Sequence, residues 1–347
     1  MDTENIATSA VNAAISKTTY LSAFINEKDK EPCWDGHIYI YSDKRKSKEN
    51  IKRVPVQVKG ISVNTHKIKE HITYRINRND LIAYKADGGV IFFVVYINKN
   101  TGDPEQIYYA ELLPERIKRL LKNGQDSQPV KFKKFPASSE RIEDLFLNFY
   151  DNSKKQVSFA HQNIVSPFDF ARGSNFKDFS FSISGMHQMP TLAELPRYLE
   201  DKSLSIYGHL ANVNVPIPVD YIDEVHDIEV RQQLAVPILV NDIKYYDTYC
   251  RCYFKDKIVL QIGSCVTITI NEDKDGKFIL PYQVDYKVAG TLSERIEGLQ
   301  FVMAAIQNKG FSFGAADFSF NDDDGFKSFN MDNLVNTLKG YKKAKKH

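Results

Sequence analysis

The sequence RVPVQVKG at residues 53–60 alternates valines with other side chains, as a strand with one buried face does. The valines point to one side of such a strand, and Gln57 and Lys59 point to the other. Gly60 ends the run. Burying a glutamine and a lysine costs free energy unless both side chains are paired or used. This segment therefore predicts a core strand that carries a polar pair on its second face.

Similar patterns on either side of this strand predict the rest of the first half of the chain. They indicate a helix at 6–24, with a break at Thr18 and Thr19 as the alternative to a continuous helix. They also indicate strands at 36–42, 71–76, 90–97 and 107–112, and short helices at 81–85 and 115–122. The basic run at 43–53 (DKRKSKENIKR) is expected to be a loop between two strands. This order predicts an α/β sandwich in which helices cover a mixed sheet.

A length of 347 residues favours two domains. We expect a boundary near residue 150, with an α/β domain at 1–150 and a β-rich domain at 151–347 whose short alternating runs are typical of antiparallel strands. One clear helix at 294–308, capped by Thr291 or Ser293, and a short helix at 331–338 precede a basic C-terminal tail at 341–347. The second domain is expected to serve recognition, sensing or oligomerisation.

The composition, 42% hydrophobic and 26% charged, is that of an ordinary globular protein. No apolar run is long enough to cross a bilayer, and no secretory signal is evident, so we expect a cytoplasmic protein without a membrane partner. Cys250 and Cys252 lack the second pair that a zinc site needs, which predicts reduced thiols. Residues 1–150 carry 24 basic and 19 acidic side chains, a modest excess that permits a nucleic-acid partner.

Asp35 suggests a chemical role for the polar pair Gln57 and Lys59. It lies at the start of the strand that precedes theirs. If the two strands are antiparallel neighbours, Asp35 lies beside Gln57 and Lys59, with the Val58 carbonyl between them. Such oxygens suit Mg²⁺ or Mn²⁺, which polarises a phosphodiester and activates water, while a lysine offsets developing charge. These residues are the candidate catalytic and metal-binding set.

The helix, the segment WDGHI at 34–38, the loop and the segment VQVKG at 56–60 together resemble the PD-(D/E)XK, or restriction-endonuclease-like, superfamily. More narrowly, they resemble a bacterial subgroup of unknown function associated with phage defence. The resemblance covers residues 10–150. It implies that Asp35 binds the metal, that Gln57 occupies the acidic or glutamine position and that Lys59 is catalytic. Many members add a glutamate from the first helix, which offers no clear inward glutamate here, so Glu27 or Asp29 is a substitute.

Two basic segments are candidate nucleic-acid contacts. Lys44, Arg45, Lys46 and Arg53 could form a patch beside the site, or simply a solvated loop. The lysines of the tail could contact nucleic acid too, although such tails are more often disordered.

Three hypotheses follow. The first is a Mg²⁺- or Mn²⁺-dependent endonuclease that acts in anti-phage defence, with DNA as the favoured substrate and RNA left open. The second is a catalytically inactive relative that binds nucleic acid or a protein partner, because a glutamine replaces an acid. The third makes the β-rich half a sensor whose output is the nuclease. A homo-oligomer or a partner protein from a defence system is compatible with each.

Overall fold

The structure is a computed structural model that describes residues 2–26, 33–47, 49–64, 68–187, 189–200, 202–272, 278–314, 316–319 and 329–346. The chain divides into two compact units. Unit 1 comprises Met1–Met189 and Lys202–Glu224, and unit 2 comprises Pro190–Asp201 and Val225–His347. Each unit is described by itself below.

Unit 1 combines helices with a large mixed sheet and a small antiparallel sheet. Its helices are α1 (Thr3–Ser16), α2 (Arg78–Ala86), α3 (Pro114–Leu120), α4 (Ser139–Gln156) and α5 (Pro167–Ala171). Its strands are β1 (Leu21–Ile25), β2 (Gly36–Ile40), β3 (Lys52–Val63), β4 (His71–Asn77), β5 (Val90–Asn98), β6 (Pro104–Leu112), β7 (Ser127–Lys134), β8 (Phe176–Phe181), β9 (Leu204–Leu210) and β10 (Val213–Ile222).

The large sheet has the strand order β1-β2-β3-β5-β6-β7-β4. Strands β3 and β5 pair in parallel, whereas β1–β2, β2–β3, β5–β6, β6–β7 and β4–β7 pair antiparallel. The expected mixed sheet with helices is thus confirmed. The expected strands at 36–42, 53–60, 71–76, 90–97 and 107–112 are confirmed within a few residues of their ends.

Both faces of this sheet are buried, and β5 contributes to both. The side chains on one face of β5 pack in a core with the β3 valines, α1 and α4; they are Ile91, Phe93, Val95 and Ile97. The other set (Val90, Phe92 and Val94) packs in a second core with residues of β4, β6, β7, α2 and α3. A strand buried on both faces explains the uninterrupted apolar run VIFFVVYI in the sequence.

The helix expected at 6–24 does break close to Thr18 and Thr19, the alternative that the sequence left open, but the segment after the break is a strand and not a helix. Helix α1 ends at Ser16, where the Thr18 hydroxyl donates to the Ile15 carbonyl at 2.7 Å. Residues Leu21–Ile25 form β1, paired with β2. A short apolar run fits either a helix or a strand, and the hydrogen bonds offered by β2 decide between them.

The boundary expected near residue 150 falls inside α4, and unit 1 continues beyond it. The reason is a set of buried polar contacts between α4 and the small sheet β10-β9-β8. The Gln156 amide donates to the Ser205 hydroxyl at 2.9 Å, and the Tyr207 hydroxyl donates to Asn152 at 2.6 Å. Because these groups are buried, their hydrogen bonds hold the small sheet to the first unit.

Unit 2 is rich in antiparallel strands, as expected. Its strands are β11 (Val230–Leu234), β12 (Ile238–Val240), β13 (Ile243–Tyr246), β14 (Tyr249–Tyr253), β15 (Lys257–Ile262), β16 (Val266–Glu272), β17 (Phe278–Tyr286), β18 (Gly310–Phe313) and β19 (Ala316–Ser319). Its helices are α6 (Leu195–Leu199), α7 (Leu292–Asn308) and α8 (Met331–Ala344). They form sheets of order β11-β14-β15-β16-β17 and β13-β12-β18-β19. Thr291 caps α7 in a capping box with Glu294, which confirms one of the two expected caps.

None of the described helices is both long enough and apolar enough to span a membrane.

Candidate functional site

The candidate site lies where β3 extends past its neighbour β2. The pairing of these strands ends at Gly36 opposite Val56, so the next part of the β3 edge lacks a strand on that side. Asp35 fills this position. Its backbone N–H donates to the Val56 carbonyl at 3.1 Å, and its carboxylate accepts the backbone N–H of Val58 at 2.7 Å. The side chain thus continues the hydrogen bonding of the sheet.

The same carboxylate oxygen of Asp35 accepts the Gln57 side-chain amide, with Nε2 and Oδ2 2.5 Å apart. Gln57 is 5% exposed, so its polar end depends on this contact. Asp35, Gln57 and Lys59 all line one cavity of about 440 Å³. The structure therefore brings the three residues selected from the sequence into one place, with Gln57 and Lys59 on the face opposite the β3 valines.

The other walls of the cavity come from α1, α2, β4 and β5. Besides the three residues above, it is lined by Glu4, Cys33, Tyr74, Arg75, Ile76, Asn77, Asp80, Tyr84 and Phe92. Four successive residues of β4 contribute, which means that this strand presents its edge to the cavity rather than one face. The cavity is therefore bounded by the middle of β3 on one side and by the edge of β4 on another.

Burial raises the pKa of Asp35 above its ordinary value. The Val58 N–H, then the charge of Lys59, then the Gln57 amide act in the opposite direction, and the charge of Glu4 adds a further increase. Burial thus outweighs the donors, and the ionised carboxylate is under-compensated. A cation placed beside such a carboxylate stabilises its ionised form.

Glu4 is the site residue that sequence analysis missed. It belongs to the first turn of α1, which Asp2 caps by accepting the Asn5 N–H at 3.2 Å. The first helix does offer a glutamate toward the cavity, contrary to expectation. A methyl group added at Gly60 would lie 2.1 Å from the Thr3 carbonyl oxygen, so only glycine at this position allows the first turn of α1 to approach β3. The glycine that follows Val58 and Lys59 was the feature of the sequence that could have indicated this close approach.

Asp80 and Cys33 form a second polar pair on the cavity wall. The Cys33 thiol donates to an Asp80 carboxylate oxygen at 3.8 Å. Burial, followed by the charge of Asp80, raises the pKa of Cys33, so the thiol stays protonated and acts as a donor. Tyr84, 1% exposed, packs edge-on against Trp34 at 6.1 Å between ring centroids and supports this wall.

The donor atoms grouped around the middle of β3 are hard oxygens, which suit Mg²⁺ or Mn²⁺. They come from Asp35, Glu4 and the amide of Gln57. The Val58 carbonyl joins them, because the N–H and C=O of one strand residue point to the same edge and the Val58 N–H points to Asp35. Within the described ranges, no three His, Cys, Asp or Glu side chains are grouped tightly enough to hold an ion by themselves. The residues fit a cation that keeps several water ligands, as Mg²⁺ does.

Some predicted site residues lie elsewhere. Glu27 and Asp29 are outside the described residues. Lys44, Arg45, Lys46 and Arg53 lie in the β2–β3 connection or at the start of β3, whereas Lys59 lies in the middle part of that strand. Arg53 and Lys59 are separated by six residues of strand, roughly 20 Å. Lys46 is engaged locally, since its ammonium donates to the Leu21 carbonyl at 2.6 Å. The basic patch is therefore not part of the cavity.

Searches of protein-family models, of curated proteins and of solved structures found no match for this chain.

Proposed function

We propose that this protein is a Mg²⁺- or Mn²⁺-dependent endonuclease and that its first unit is a variant of the restriction-endonuclease-like fold. The observation that carries the proposal is the convergence of Asp35, Gln57 and Lys59 with Glu4 on one cavity. Two carboxylates, an amide, a backbone carbonyl and a lysine are the groups that metal-assisted phosphodiester hydrolysis uses.

Each residue has a role in this proposal. Asp35 and Glu4 hold the cation, assisted by the Gln57 amide oxygen and the Val58 carbonyl. The bound cation supplies polarisation of a phosphoryl oxygen and a lower pKa for water. Lys59, two residues from Gln57 on the same face of β3, orients the water or offsets charge that develops on the phosphate. The substrate is nucleic acid, DNA before RNA, and the setting is bacterial defence in the cytoplasm.

One observation favours a second function, nucleic-acid or protein binding without cleavage. Gln57 presents its amide nitrogen, not its oxygen, to Asp35. Holding a cation there requires the amide to turn, and a neutral residue at this position makes the site less acidic than a glutamate would. A protein that kept this hydrogen bond would have the same fold with no metal chemistry.

The decisive experiment is cleavage of supercoiled plasmid and of single-stranded RNA with Mg²⁺, Mn²⁺ or EDTA. We expect metal-dependent cleavage by the full chain and a loss of roughly 10²–10³-fold in Lys59→Ala. Asp35→Ala should also lose Mn²⁺ binding in calorimetry. The exposed Lys122 and Asp87 lie outside the cavity lining, so Lys122→Ala and Asp87→Asn are matched controls that should retain full activity.

The outcomes separate the two functions. Cleavage that persists in Asp35→Ala and Lys59→Ala overturns the proposed active site. Binding of nucleic acid without Mn²⁺ binding and without cleavage supports the second function instead.

A further inference from the structure

Helix α8 of unit 2 has one buried side. Asn330 caps the helix by accepting the Asn333 N–H at 3.2 Å. Leu334 is 8% exposed, and Leu338 and Tyr341 pack against the same core. The residues at spacings of four and three fix which side of the helix faces the interior. The segment expected to be a disordered basic tail is thus helical as far as Ala344.

Lysines occupy a different side of α8. Lys339, Lys342 and Lys343, with Lys346 in the turn that follows, are spaced at i, i+3, i+4 and i+7 and are all exposed. These spacings bring side chains to one face of a helix. No ion pair joins the four to a carboxylate in the described part of the chain. We call this set the lysine stripe.

The four lysines destabilise α8, and their position near the C-terminus of the helix offsets this effect only in part. Like charges three and four residues apart repel, which destabilises a helix. Positive charge near a helix C-terminus is favourable, but the effect fades within the last turn, and Lys339 lies before that turn. A concentrated, unpaired positive surface is the electrostatic footprint of a polyanion partner.

Two kinds of polyanion surface are common, and the packing of α8 distinguishes them. A helix that binds a lipid surface buries a free apolar face among the head groups. The apolar face of α8 is already in the core of unit 2. Its exposed residues are polar or small, from Asp332 to Lys346. This arrangement fits phosphates on a nucleic-acid backbone.

We propose that the lysine stripe of α8 binds the phosphate backbone of nucleic acid, as a second contact separate from the cavity in unit 1. The stripe is roughly 10 Å long at 1.5 Å per residue, a length over which duplex DNA carries about six phosphate charges. Lysines act as point charges without the planar donors that read base edges, so binding is independent of sequence.

The test is fluorescence anisotropy of a 5′-labelled 20-base-pair DNA duplex with the full chain in EDTA, from 50 to 200 mM KCl. One variant replaces the four stripe lysines with glutamine. A second replaces them with arginine. A third, the matched control, replaces four exposed lysines of unit 1 with glutamine: Lys17, Lys99, Lys122 and Lys177.

We expect Kd to rise at least tenfold in the glutamine stripe variant at 100 mM KCl. The slope of log K, where K is the association constant, against log salt concentration is negative. Its magnitude should decrease by up to about 3.6, at about 0.9 for each lost phosphate contact. The arginine variant and the control should bind as the parent does. Circular dichroism verifies that the helix is retained.

An unchanged slope, or an equal loss in the control set, overturns the proposal. The proposal is also overturned if the glutamine stripe variant loses binding to phosphatidylcholine vesicles with 30% phosphatidylserine but binds DNA as the parent does. Because EDTA removes any metal chemistry, this assay tests the stripe independently of cleavage. A chain that binds DNA through the stripe in EDTA but does not cleave it when Mg²⁺ or Mn²⁺ is supplied would contradict the endonuclease proposal alone.

Discussion

The Gly60 Cα lies so close to the Thr3 carbonyl that an added methyl group would be 2.1 Å from its oxygen. This contact sets the first turn of α1 against β3 and puts Glu4 beside the cavity that Asp35 and Lys59 line. A backbone approach between two elements therefore completes the candidate metal site, and it makes a direct prediction.

Gly60→Ala should displace the start of α1, destabilise the protein by about 1–3 kcal/mol through overpacking, and weaken Mn²⁺ binding. Urea unfolding and calorimetry measure the two effects. Gly340→Ala is the matched control, because nothing lies within 4 Å of a methyl group there and the residue is in α8. That variant should gain up to about 1 kcal/mol and keep Mn²⁺ affinity. Unchanged metal binding in Gly60→Ala would remove Glu4 from the site.

Asp35→Asn should change how stability depends on pH. Burial raises the pKa of Asp35 in the folded state, so the folded protein binds more protons than the unfolded chain above the ordinary aspartate pKa. Stability contributed by this group is present at low pH and is lost as pH rises through the raised pKa. In EDTA, asparagine removes this loss, so the difference in unfolding free energy between variant and parent should grow in favour of the variant as pH rises from 4 to 7. A constant difference would contradict the prediction.

Gln57→Glu should lower the stability of the metal-free protein and raise its affinity for metal. Gln57 now donates to Asp35 at 2.5 Å, and a glutamate there would place two carboxylates together. We expect lower unfolding free energy in EDTA and Mn²⁺ affinity raised at least tenfold. Gln128→Glu is the control, because Gln128 is also buried, at 2% exposure, but lies outside the cavity lining. It should lose stability with no gain in metal affinity. Equal Mn²⁺ affinity in parent and Gln57→Glu would argue against a cation at this position.

Glu143→Ala should destabilise unit 1 strongly. The buried Glu143 carboxylate accepts the backbone N–H groups of Thr19 and Tyr20, at 2.5 and 2.9 Å, where α1 gives way to β1. His187 Nε2 is 2.7 Å from the other oxygen. Losing the acceptor leaves these donors unsatisfied, at a cost on the order of 2–5 kcal/mol in urea unfolding.

Glu143→Gln should lose less, because one oxygen remains to accept the two N–H groups. The exposed Glu140, in the first turn of the same helix, provides a control whose alanine variant should cost less than about 1 kcal/mol. Equal losses in Glu143→Ala and Glu140→Ala would show that the junction does not depend on this carboxylate.

Much of the first unit was predictable because its strands carry strong local patterns. The alternation at 53–60 separated the core valines from Gln57 and Lys59, and the apolar run at 90–97 indicated a buried strand. The antiparallel pairing of β2 and β3 was stated as a condition, and it is met. These features follow from the two-residue period of a strand.

The errors share a physical cause. Residues 21–25 suit a helix or a strand, and only the hydrogen bonds of β2 select the strand. Helix α4 crosses the expected domain boundary because Asn152 and Gln156, polar in the sequence, bond to the small sheet far along the chain. For the basic loop the sequence left open a patch beside the site or a solvated loop, and the loop lies at the start of β3, away from the cavity lining. Local sequence does not specify such distant partners.

The sequence by itself determined which side chains share a strand face, since that follows from the geometry of an extended backbone. Tertiary structure alone decided that Glu4 joins Asp35, that the edge of β4 closes the cavity, and that the apolar side of α8 is buried while its lysines are exposed. Those facts depend on contacts between segments far apart in sequence, where packing and hydrogen-bond satisfaction, not local period, select the arrangement.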